Sequence, residues 1–329
     1  MTVRVGVIGV GLIGEDHVRR LSSVVAGATV TAVTDVDASR AAAVAKLYGV
    51  PAVHDSGEDV IADPAVDAVV VASWGPTHEQ YVLAAIAAGK PVFCEKPLAT
   101  TPEACERVLA AETAFGRRLI QVGFMRRYDS AYVALRAAVL DRAIGAPLLA
   151  HMAHRNPSVP DSVTSEAAIN DSAVHEIDVT RWLLGEEITA VMVLAPRRSS
   201  LAAAGLQDPM VVMFRTESGI LVDDELGLNV RYGYDIRAEV VGETGQARLP
   251  AISPVPPDWR VRFVDAYDAE FRDWIADVAA GREPSGPSSW DGYAATVVAG
   301  AAVAALGAGG WVSVELVERP ALYGAGVSV

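Results

Sequence analysis

Short apolar runs alternate with helical patterns over the first 123 residues of the chain. Five runs rich in β-branched residues are typical of strands buried on both faces: VRVGVIG (3–9), ATVTAVTD (28–35), VDAVVVAS (66–73), KPVFCE (90–95) and RLIQVG (118–123). Stretches rich in Ala, Glu and Arg separate most of these runs and predict helices over 38–48, 77–88 and 102–115. The alternation predicts a parallel sheet with helices on both faces.

The pattern changes after about residue 145. One amphipathic helix, over about 171–184, precedes four strand-like segments in succession: VMVLAP (191–196), PMVVMFRT (209–216), GILVDDELGL (219–228) and DIRAEVVGE (235–243). Turns such as ESG and ETG between successive strands favour antiparallel pairing. Two further helices, over about 265–281 and 290–308, close the pattern.

Composition narrows the range of partners. The 329 residues carry a net charge of -14, which argues against nucleic acid and anionic membranes. The two cysteines, Cys94 and Cys105, form no CxxC pair, so a reduced, cytoplasmic setting is expected. The N-terminal run lacks a signal-peptide pattern. The apolar stretch from Ala294 to Gly310 is short for a bilayer and predicts a buried helix.

The G-x-G-x-x-G sequence at 9–14 follows the first apolar run and opens a helical stretch, which is the context that dinucleotide binding requires. Gly9 permits a tight turn, Gly11 lets the backbone approach a pyrophosphate, and Gly14 permits close helix–strand packing. With Leu12 and Ile13 they are the candidate phosphate contacts, at a helix N-terminus that favours an anion.

Asp35 ends the second apolar run, where a carboxylate accepts hydrogen bonds from the adenosine ribose. The same carboxylate repels a 2′-phosphate, the next residue is Val36, and no arginine follows before Arg40. These features favour NAD over NADP. A helix N-cap is the structural alternative for Asp35, although Asp37 can fill that role.

Two further segments, ASWGPTHEQ (72–80) and FCEKPLATT (93–101), follow apolar runs at the same predicted sheet edge. Their candidate cofactor contacts are Ser73, Trp74, His78, Glu95 and Lys96. His78 fits equally well as an ordinary residue in the first turn of a helix. Pro97 ends the strand, so Lys96 is expected beside the nicotinamide; a solvated lysine is the alternative.

The sequence NDSAVHEID (170–178) concentrates acidic and histidine side chains. With α-helical spacing, Asp171, His175 and Asp178 share one face, and Glu176 points elsewhere. Oxidation by a nicotinamide cofactor needs a base for the hydroxyl proton and a positive group beside the oxygen. His175 suits the first role and Lys96 the second, with Asp171 orienting His175 or binding a hydroxyl.

Two other interpretations of this helix face remain open. Asp171, His175 and Asp178 could bind a metal, but no second cluster is visible and a nearby lysine would repel a cation, so no metal is expected. The face could also be a satisfied polar surface, above all at Asp178.

Eight segments together resemble the Gfo/Idh/MocA oxidoreductases, over about residues 3–323: GVGLIG, SWGPTHE, FCEKPLATT, VGFMRRYD, HRNP, VHEID, YGYDI and SGPSSWDGY. Within that family they are most similar to the inositol dehydrogenases. The resemblance implies an α/β chain with an NAD-binding Rossmann domain over 1–124. It also implies an α+β domain over 125–329 with a large, open, mostly antiparallel sheet, used for substrate binding and for assembly as a homotetramer. The helix over about 290–308 is expected to pack back on the first domain.

The resemblance also implies the roles of particular side chains. Lys96, Asp171 and His175 would form the catalytic group. The hydroxyls of a polyol would be held by Arg126, His154, Asn156 and Tyr234, in addition to the catalytic group. Which of Arg126 and the adjacent Arg127 faces the substrate stays open. One departure is Val10, in the glycine loop, where threonine is common.

The implied reaction is NAD-dependent oxidation of the axial hydroxyl of myo-inositol to scyllo-inosose. Two alternatives stay open from the sequence. The first keeps the chemistry but uses another inositol isomer, an aldose or an aminocyclitol intermediate. The second is a non-catalytic NAD-binding regulator on the same fold, against which the intact Lys96, Asp171 and His175 argue.

Overall fold

The computed structural model describes residues 2–324; Met1 and residues 325–329, at the outer ends of the two predicted domains, lie outside the described residues. The described chain divides into two compact units. The first takes the residues up to Phe124, Tyr267–Thr296 and those from Glu318. The second takes Met125–Ala266 and Val297–Val317. Each unit is therefore built from separate stretches of chain.

The strands of the described residues form two sheets. In chain order they are β1 (Val3–Ile8), β2 (Ala28–Thr34), β3 (Ala52–Val53), β4 (Ala68–Val71), β5 (Val92–Glu95), β6 (Ile120–Gly123), β7 (Pro147–Arg155), β8 (Ile188–Leu194), β9 (Met210–Thr216), β10 (Leu221–Gly227), β11 (Asp235–Gly242), β12 (Gln246–Arg248) and β13 (Val312–Ser313).

The α-helices range from single turns to 17 residues. In chain order they are α1 (Leu12–Ser23), α2 (Ala38–Tyr48), α3 (Gly57–Ala62), α4 (His78–Ala87), α5 (Pro102–Phe115), α6 (Ser130–Leu140), α7 (Ser165–Ala168), α8 (Val174–Leu184), α9 (Trp259–Arg262), α10 (Val264–Ala279) and α11 (Ser289–Ala305). A π-helical segment, Ile169–Ala173, joins α7 to α8 without a break.

The first unit contains a six-stranded sheet in the order β3-β2-β1-β4-β5-β6, with all neighbours parallel. The strands β4, β5 and β6 are buried throughout, as the uninterrupted apolar runs predict. The parallel sheet is confirmed; β3 was not predicted because two residues give no pattern. The strand order reverses at β1, so the loops after β1, β4 and β5 meet at the edge where such sheets bind ligands.

The core of the first unit includes residues far along the chain. Phe271, Trp274 and Ile275 of α10 are buried with the side chains of β1, β2 and α1. Glu112 of α5 is 0% exposed and accepts hydrogen bonds from Ser289 Oγ and Tyr323 Oη, at 2.6 and 2.8 Å. These contacts attach the late segments of the chain to the sheet that its first 124 residues form.

The second unit contains a seven-stranded sheet in the order β12-β11-β7-β10-β9-β8-β13. β7 and β10 are parallel and the other neighbours are antiparallel, so the mostly antiparallel sheet is confirmed. The long strand β7, in the middle of this sheet, was not predicted. Its sequence PLLAHMAHR mixes histidine and alanine with apolar residues and gives no clear alternation.

No helix among the residues 2–324 combines the length and the apolar character needed to cross a membrane. The apolar stretch from Ala294 lies mostly in α11, where Ala294, Val298 and Ala302 are fully buried. The prediction of a buried helix there is confirmed.

Candidate active site

The glycine loop connects β1 to α1 in the first unit. Gly9 has a φ of +86°, and a Cβ on it would lie 2.5 Å from the Cα of Ser73. A Cβ on Gly14 would lie 2.0 Å from the carbonyl oxygen of Gly9. A Cβ on Gly11 would meet no atom within 4 Å, and α1 begins directly after it. Gly9 thus lets the glycine loop pack against the loop after β4, and Gly14 lets α1 approach the end of β1. Gly11 leaves the helix N-terminus open to a phosphate group.

Asp35 follows β2, and its carboxylate faces the glycine loop. Oδ2 accepts a hydrogen bond from the Val10 N–H at 2.8 Å, and Oδ1 accepts one from the Asp37 N–H at 2.9 Å. Asp37 itself caps α2, as predicted. Arg40 lies 3.5 Å from Asp35 Oδ1, so the arginine nearest the predicted ribose position is already next to a carboxylate. Val36 is fully exposed beside it.

The three candidate cofactor contacts in the loop after β4 differ in their exposure and in their hydrogen bonds. Trp74 is 77% exposed, and the Ser73 hydroxyl is 2.7 Å from that of Thr77. His78 is 1% exposed, with Nδ1 2.7 Å from the Pro97 carbonyl and Nε2 3.0 Å from the Ser73 carbonyl. Both ring nitrogens thus face backbone carbonyls, and burial lowers the pKa of His78. This geometry argues against the predicted cofactor contact of His78 and makes it a link between two loops of the site.

Lys96 directly follows β5 and is half-buried. The preceding Glu95 is 6% exposed, and its Oε2 accepts a hydrogen bond from the Lys96 N–H at 3.2 Å. Glu95 Oε1 lies 2.8 Å from Nε2 of His17, a buried histidine on α1. Lys96 therefore extends from a backbone that buried polar contacts hold at the carboxyl end of the sheet.

In the second unit, Glu176 of α8 is the centre of a buried polar cluster. One carboxylate oxygen accepts a hydrogen bond from Arg126 Nη1, and the other lies 3.0 Å from Nδ1 of His154. Arg126 Nη2 is 3.2 Å from the same His154 nitrogen and 3.5 Å from the Tyr234 hydroxyl. All four side chains are at most 3% exposed. Three of the four side chains predicted to hold hydroxyls, Arg126, His154 and Tyr234, therefore lie together.

The charges of this cluster support one another. Burial opposes ionisation of Glu176, but Arg126 and His154 hold the pKa of Glu176 below its ordinary value. Burial likewise opposes the charge on Arg126, but the Glu176 carboxylate raises the pKa of Arg126 well above its usual value. Arg126 and Glu176 are thus an ion pair whose members depend on each other in a site with little water.

The α-helical spacing rule set Glu176 apart from Asp171, His175 and Asp178, yet Glu176 is the centre of this buried cluster. For Asp171 the rule itself does not hold. That rule assumes regular i→i+4 hydrogen bonding, but Asp171 lies in the π-helical segment, where bonding is i→i+5. Asp171 is exposed, whereas His175, on the first turn of α8, is 8% exposed. The His175 ring centroid lies 6.4 Å from that of His154, which joins His175 to the surroundings of the Glu176 cluster.

Asp178, also on α8, forms a second pair with Arg127, which lies in the 3-10 helical turn Met125–Tyr128. Arg127 Nε is 2.9 Å from Asp178 Oδ2, and its Nη2 contacts the other oxygen, so the pair is bidentate. Asp178 is 1% exposed. Of the two arginines, Arg126 is the one that contacts His154 and Tyr234, which were predicted to hold hydroxyls.

Asn156 and Asp224 complete the second unit's polar residues near the cluster. Asn156 is half-buried just after β7, where its N–H donates to the Gly227 carbonyl at 2.8 Å. Asp224 of β10 is 0% exposed, and burial, followed by the charge of Glu176, raises the pKa of Asp224 well above its ordinary value. Among the described residues, no group of three His, Cys, Asp or Glu side chains is arranged to hold a metal ion.

Comparison with known proteins identifies the family. The model for the "oxidoreductase family, NAD-binding Rossmann fold" matches residues 3–124, and that for the "GFO/IDH/MocA C-terminal domain" matches residues 132–248. The chain belongs to the Gfo/Idh/MocA oxidoreductase family. Its first unit is accordingly an NAD-binding Rossmann domain, which agrees with the open backbone at Gly11 and the carboxylate of Asp35.

Several members of the Gfo/Idh/MocA family are similar over nearly the whole chain. Inositol 2-dehydrogenase 3 of Saccharopolyspora erythraea is 54% identical, over 98% of this chain and 99% of that protein. An inositol 2-dehydrogenase of Klebsiella pneumoniae is 51% identical over the same shares. The crystal structure of myo-inositol dehydrogenase from Lactobacillus casei, in complex with NAD(H) and myo-inositol, has a TM-score of 0.96. It is 38% identical and covers 98% of this chain and 100% of that one.

Proposed function

We propose that this protein oxidises the axial hydroxyl of myo-inositol to scyllo-inosose with NAD. The observation that carries the proposal is the similarity to the Lactobacillus casei enzyme, whose structure holds NAD(H) and myo-inositol, at a TM-score of 0.96 over 98% of the chain. Curated relatives named inositol 2-dehydrogenase, at 50–54% identity over 98% of the chain, support the same substrate.

The chemistry divides between hydride and proton. The hydride leaves the carbinol carbon and is accepted by NAD when the cofactor is bound. His175 accepts the hydroxyl proton, because a neutral imidazole is an effective base near pH 7. Lys96 stabilises the negative charge that develops on the oxygen. Asp171, on the helical segment before His175, orients this base or binds a neighbouring hydroxyl.

The Glu176 cluster supports recognition of a polyol. An inositol presents a hydroxyl on every ring carbon, and each needs a donor or an acceptor in a fixed position. Arg126 offers donors, His154 a ring nitrogen, and Tyr234 a hydroxyl, all held in one buried group. Asn156, fixed through its backbone to the end of β10, is proposed as a fourth contact.

The substrate assignment is tested by NADH formation with a panel of inositol isomers, aldoses and aminocyclitols, with NAD and NADP in parallel. Myo-inositol with NAD is expected to give the highest kcat/KM. Efficient turnover of another polyol with none of myo-inositol would replace the substrate. An absence of turnover with every compound would instead support a non-catalytic regulator.

The catalytic role of Lys96 is tested by Lys96→Ala, with Lys46→Ala as a matched control on the exposed surface of α2. Loss of the group that stabilises the developing charge is expected to lower kcat by about 100- to 1000-fold. Lys46→Ala is expected to behave as the wild type. Equal rates for Lys96→Ala and the wild type would overturn the assignment.

A homotetramer, a cytoplasmic location and a role in inositol catabolism are further parts of the proposal. A concave region of about 750 Å³ on the second unit is a candidate surface for this assembly; it is lined by charged residues of β7, β10 and β11, such as Arg155, Asp223 and Asp235, and by apolar residues between Leu249 and Pro256. The buried free thiols of Cys94 and Cys105 are compatible with a reducing compartment. Light scattering after size exclusion tests the tetramer, and a monomer mass would exclude it.

A further inference from the structure

His17 is a buried titratable residue for which the proposed chemistry has no direct use. It lies on the second turn of α1, is 0% exposed, and is surrounded by aromatic rings. The ring centroids of Phe93, Tyr267 and Phe271 are 5.8, 5.8 and 4.5 Å from its own. Burial lowers the pKa of His17, so the ring is neutral at pH 7.

The contacts of the His17 ring determine its tautomer. Nδ1 lies 3.0 Å from Nη1 of Arg20. A guanidinium has only donors, so Nδ1 accepts this hydrogen bond and carries no proton. The single N–H of the neutral ring is therefore on Nε2, which donates to Glu95 Oε1 at 2.8 Å.

Glu95 connects the His17 ring to the backbone of Lys96 through its two carboxylate oxygens. Its Oε1 accepts from His17 and its Oε2 accepts from the backbone N–H of Lys96, at 3.2 Å. The carboxylate cannot rotate without losing one of these two donors. Glu95 also ends β5, so the constraint acts at the point where the chain leaves the sheet.

The other end of the chain of contacts is anchored firmly. Arg20 is 1% exposed and bonds to Asp16 at 2.8 Å and to Asp268 of α10 at 2.6 Å. Its guanidinium also lies over the Tyr267 ring, 5.1 Å from the centroid. Arg20 therefore presents an Nη1 N–H to His17 from a fixed position.

We propose that His17 is a positioning residue for Lys96, acting through Glu95 on the backbone from which the lysine side chain extends. The proposal rests on the catalytic role proposed for Lys96. Because α1 begins at the glycine loop, one helix would both present the dinucleotide loop and hold the lysine. Displacement of the lysine amine costs transition-state stabilisation, so the effect falls on kcat more than on KM.

The test compares His17→Leu with His17→Gln. Leucine removes both ring nitrogens, whereas the amide N–H of glutamine can replace the Nε2 donor. His17→Leu is expected to lower kcat with myo-inositol by about 10- to 100-fold while changing KM little. His17→Gln is expected to retain most of the wild-type kcat. The matched control is His54→Leu, which removes a histidine 2.9 Å from Asp63 elsewhere in the same unit, and is expected to leave kcat unchanged.

Thermal unfolding of each variant checks that the compared proteins are folded. Equal losses in His17→Leu and His17→Gln would show that the ring acts by packing alone and would overturn the proposal, as would an unchanged kcat in both. Glu95→Gln combined with His17→Leu adds a coupling measurement. If both residues act in one chain of contacts, the double variant is no slower than the slower single variant; additive losses contradict the proposal.

A second measurement needs no substrate. The chain has six histidines, and ¹⁵N NMR of their rings, with His17→Gln for assignment, reports the tautomer of His17. A protonated Nε2 and an unprotonated Nδ1 at pH 7 are expected. The opposite tautomer or an imidazolium would overturn the proposal whatever the activity. A wild-type protein that turns over no polyol would overturn the proposed function and would leave the NMR result to decide the contacts of His17.

Discussion

Each unit of the molecule contains a buried histidine next to a buried glutamate, with an arginine on the pair. In the first unit the pair is His17 and Glu95, at 2.8 Å, with Arg20. In the second it is His154 and Glu176, at 3.0 Å, with Arg126. The residue types are the same, but the order of contacts differs.

In the first unit the imidazole stands between the charges. Arg20 contacts Nδ1 and Glu95 contacts Nε2, so both ring nitrogens of His17 are used within the protein. In the second unit Arg126 and Glu176 contact each other, and both lie within 3.2 Å of Nδ1 of His154. The other nitrogen of His154, Nε2, lies outside these contacts.

The arrangement of contacts around the ring, more than the residue types, therefore decides the role of a buried histidine. A ring with both nitrogens bound to the protein can transmit position but cannot bind a ligand. A ring with one nitrogen held can present the other to a hydroxyl, with its tautomer set by the held one. The two glutamates also differ in the charge of their neighbours, since Glu176 balances a buried guanidinium and Glu95 faces a neutral imidazole.

The largest expected effect comes from making the same substitution in both glutamates. Glu176→Gln leaves the guanidinium of Arg126, 1% exposed, without its counter-charge and is expected to cost about 3–5 kcal/mol of unfolding free energy. Glu95→Gln keeps an acceptor for the neutral His17 and is expected to cost about 1 kcal/mol. Urea unfolding at pH 7 measures both. Equal losses of unfolding free energy would show that the two carboxylates contribute equally to stability and would contradict this prediction.

A smaller effect is expected on kinetics when each histidine is replaced. The ring centroids of His154 and Tyr234 are 5.5 Å apart, and His154→Phe keeps a ring in this position but removes the nitrogen proposed to bind a hydroxyl. It is expected to raise KM for myo-inositol by about 10- to 100-fold and to leave KM for NAD unchanged. His17→Leu, in contrast, is expected to act on kcat. Steady-state kinetics with each substrate varied makes the comparison, and a loss confined to kcat in His154→Phe would contradict it.

The unfolding free energy is also expected to depend on pH through the protonation of His17. Because burial lowers the pKa of His17, the unfolded chain binds more protons than the folded one as the pH falls below the ordinary value of 6.5. Its contribution to unfolding free energy is therefore complete above that value and is lost as the pH falls towards the folded-state pKa. In His17→Gln this loss disappears, so the difference in unfolding free energy between about pH 8 and pH 5 is expected to shrink. An unchanged difference would mean that His17 takes up its proton at the same pH in the folded protein as in the unfolded chain.

The two units also differ in how many of their site residues could be predicted from the sequence. The glycine loop, Asp35 and Lys96 could be predicted because each follows an apolar run at a known position of a parallel sheet. Glu176 could not, because its partners Arg126 and His154 come from segments 50 and 22 positions away. His154 lies on β7, a strand without a clear pattern, and was found only through the family resemblance.

The contacts of His17 could not be predicted either. Its partner Glu95 is 78 positions away, and nothing in the sequence joins the two. Sites formed by backbone next to a sequence motif can thus be predicted from the sequence. Sites formed by side chains from distant segments need the fold, because only the packing decides which of the many polar residues meet.

The smallest expected effect separates Asp224 from Glu176, two buried carboxyls of the second unit. Within the described residues, neither carboxyl oxygen of Asp224 has a hydrogen-bond partner, and burial together with Glu176 raises the pKa of Asp224 well above its ordinary value. A group that keeps its proton in the fold but loses it when unfolded lowers the unfolding free energy as the pH rises above its ordinary pKa. Asp224→Asn removes that decline.

Asp224→Asn is therefore expected to stay within about 1 kcal/mol of the wild type near pH 4 and to gain on it as the pH rises. Urea unfolding at a series of pH values measures the gain, with Glu176→Gln as the opposite case in the same cluster. A loss near the 3–5 kcal/mol expected for Glu176→Gln would mean that Asp224 is ionised and shares the charge that balances Arg126. A gain would leave Glu176 as the carboxylate on which that arginine depends.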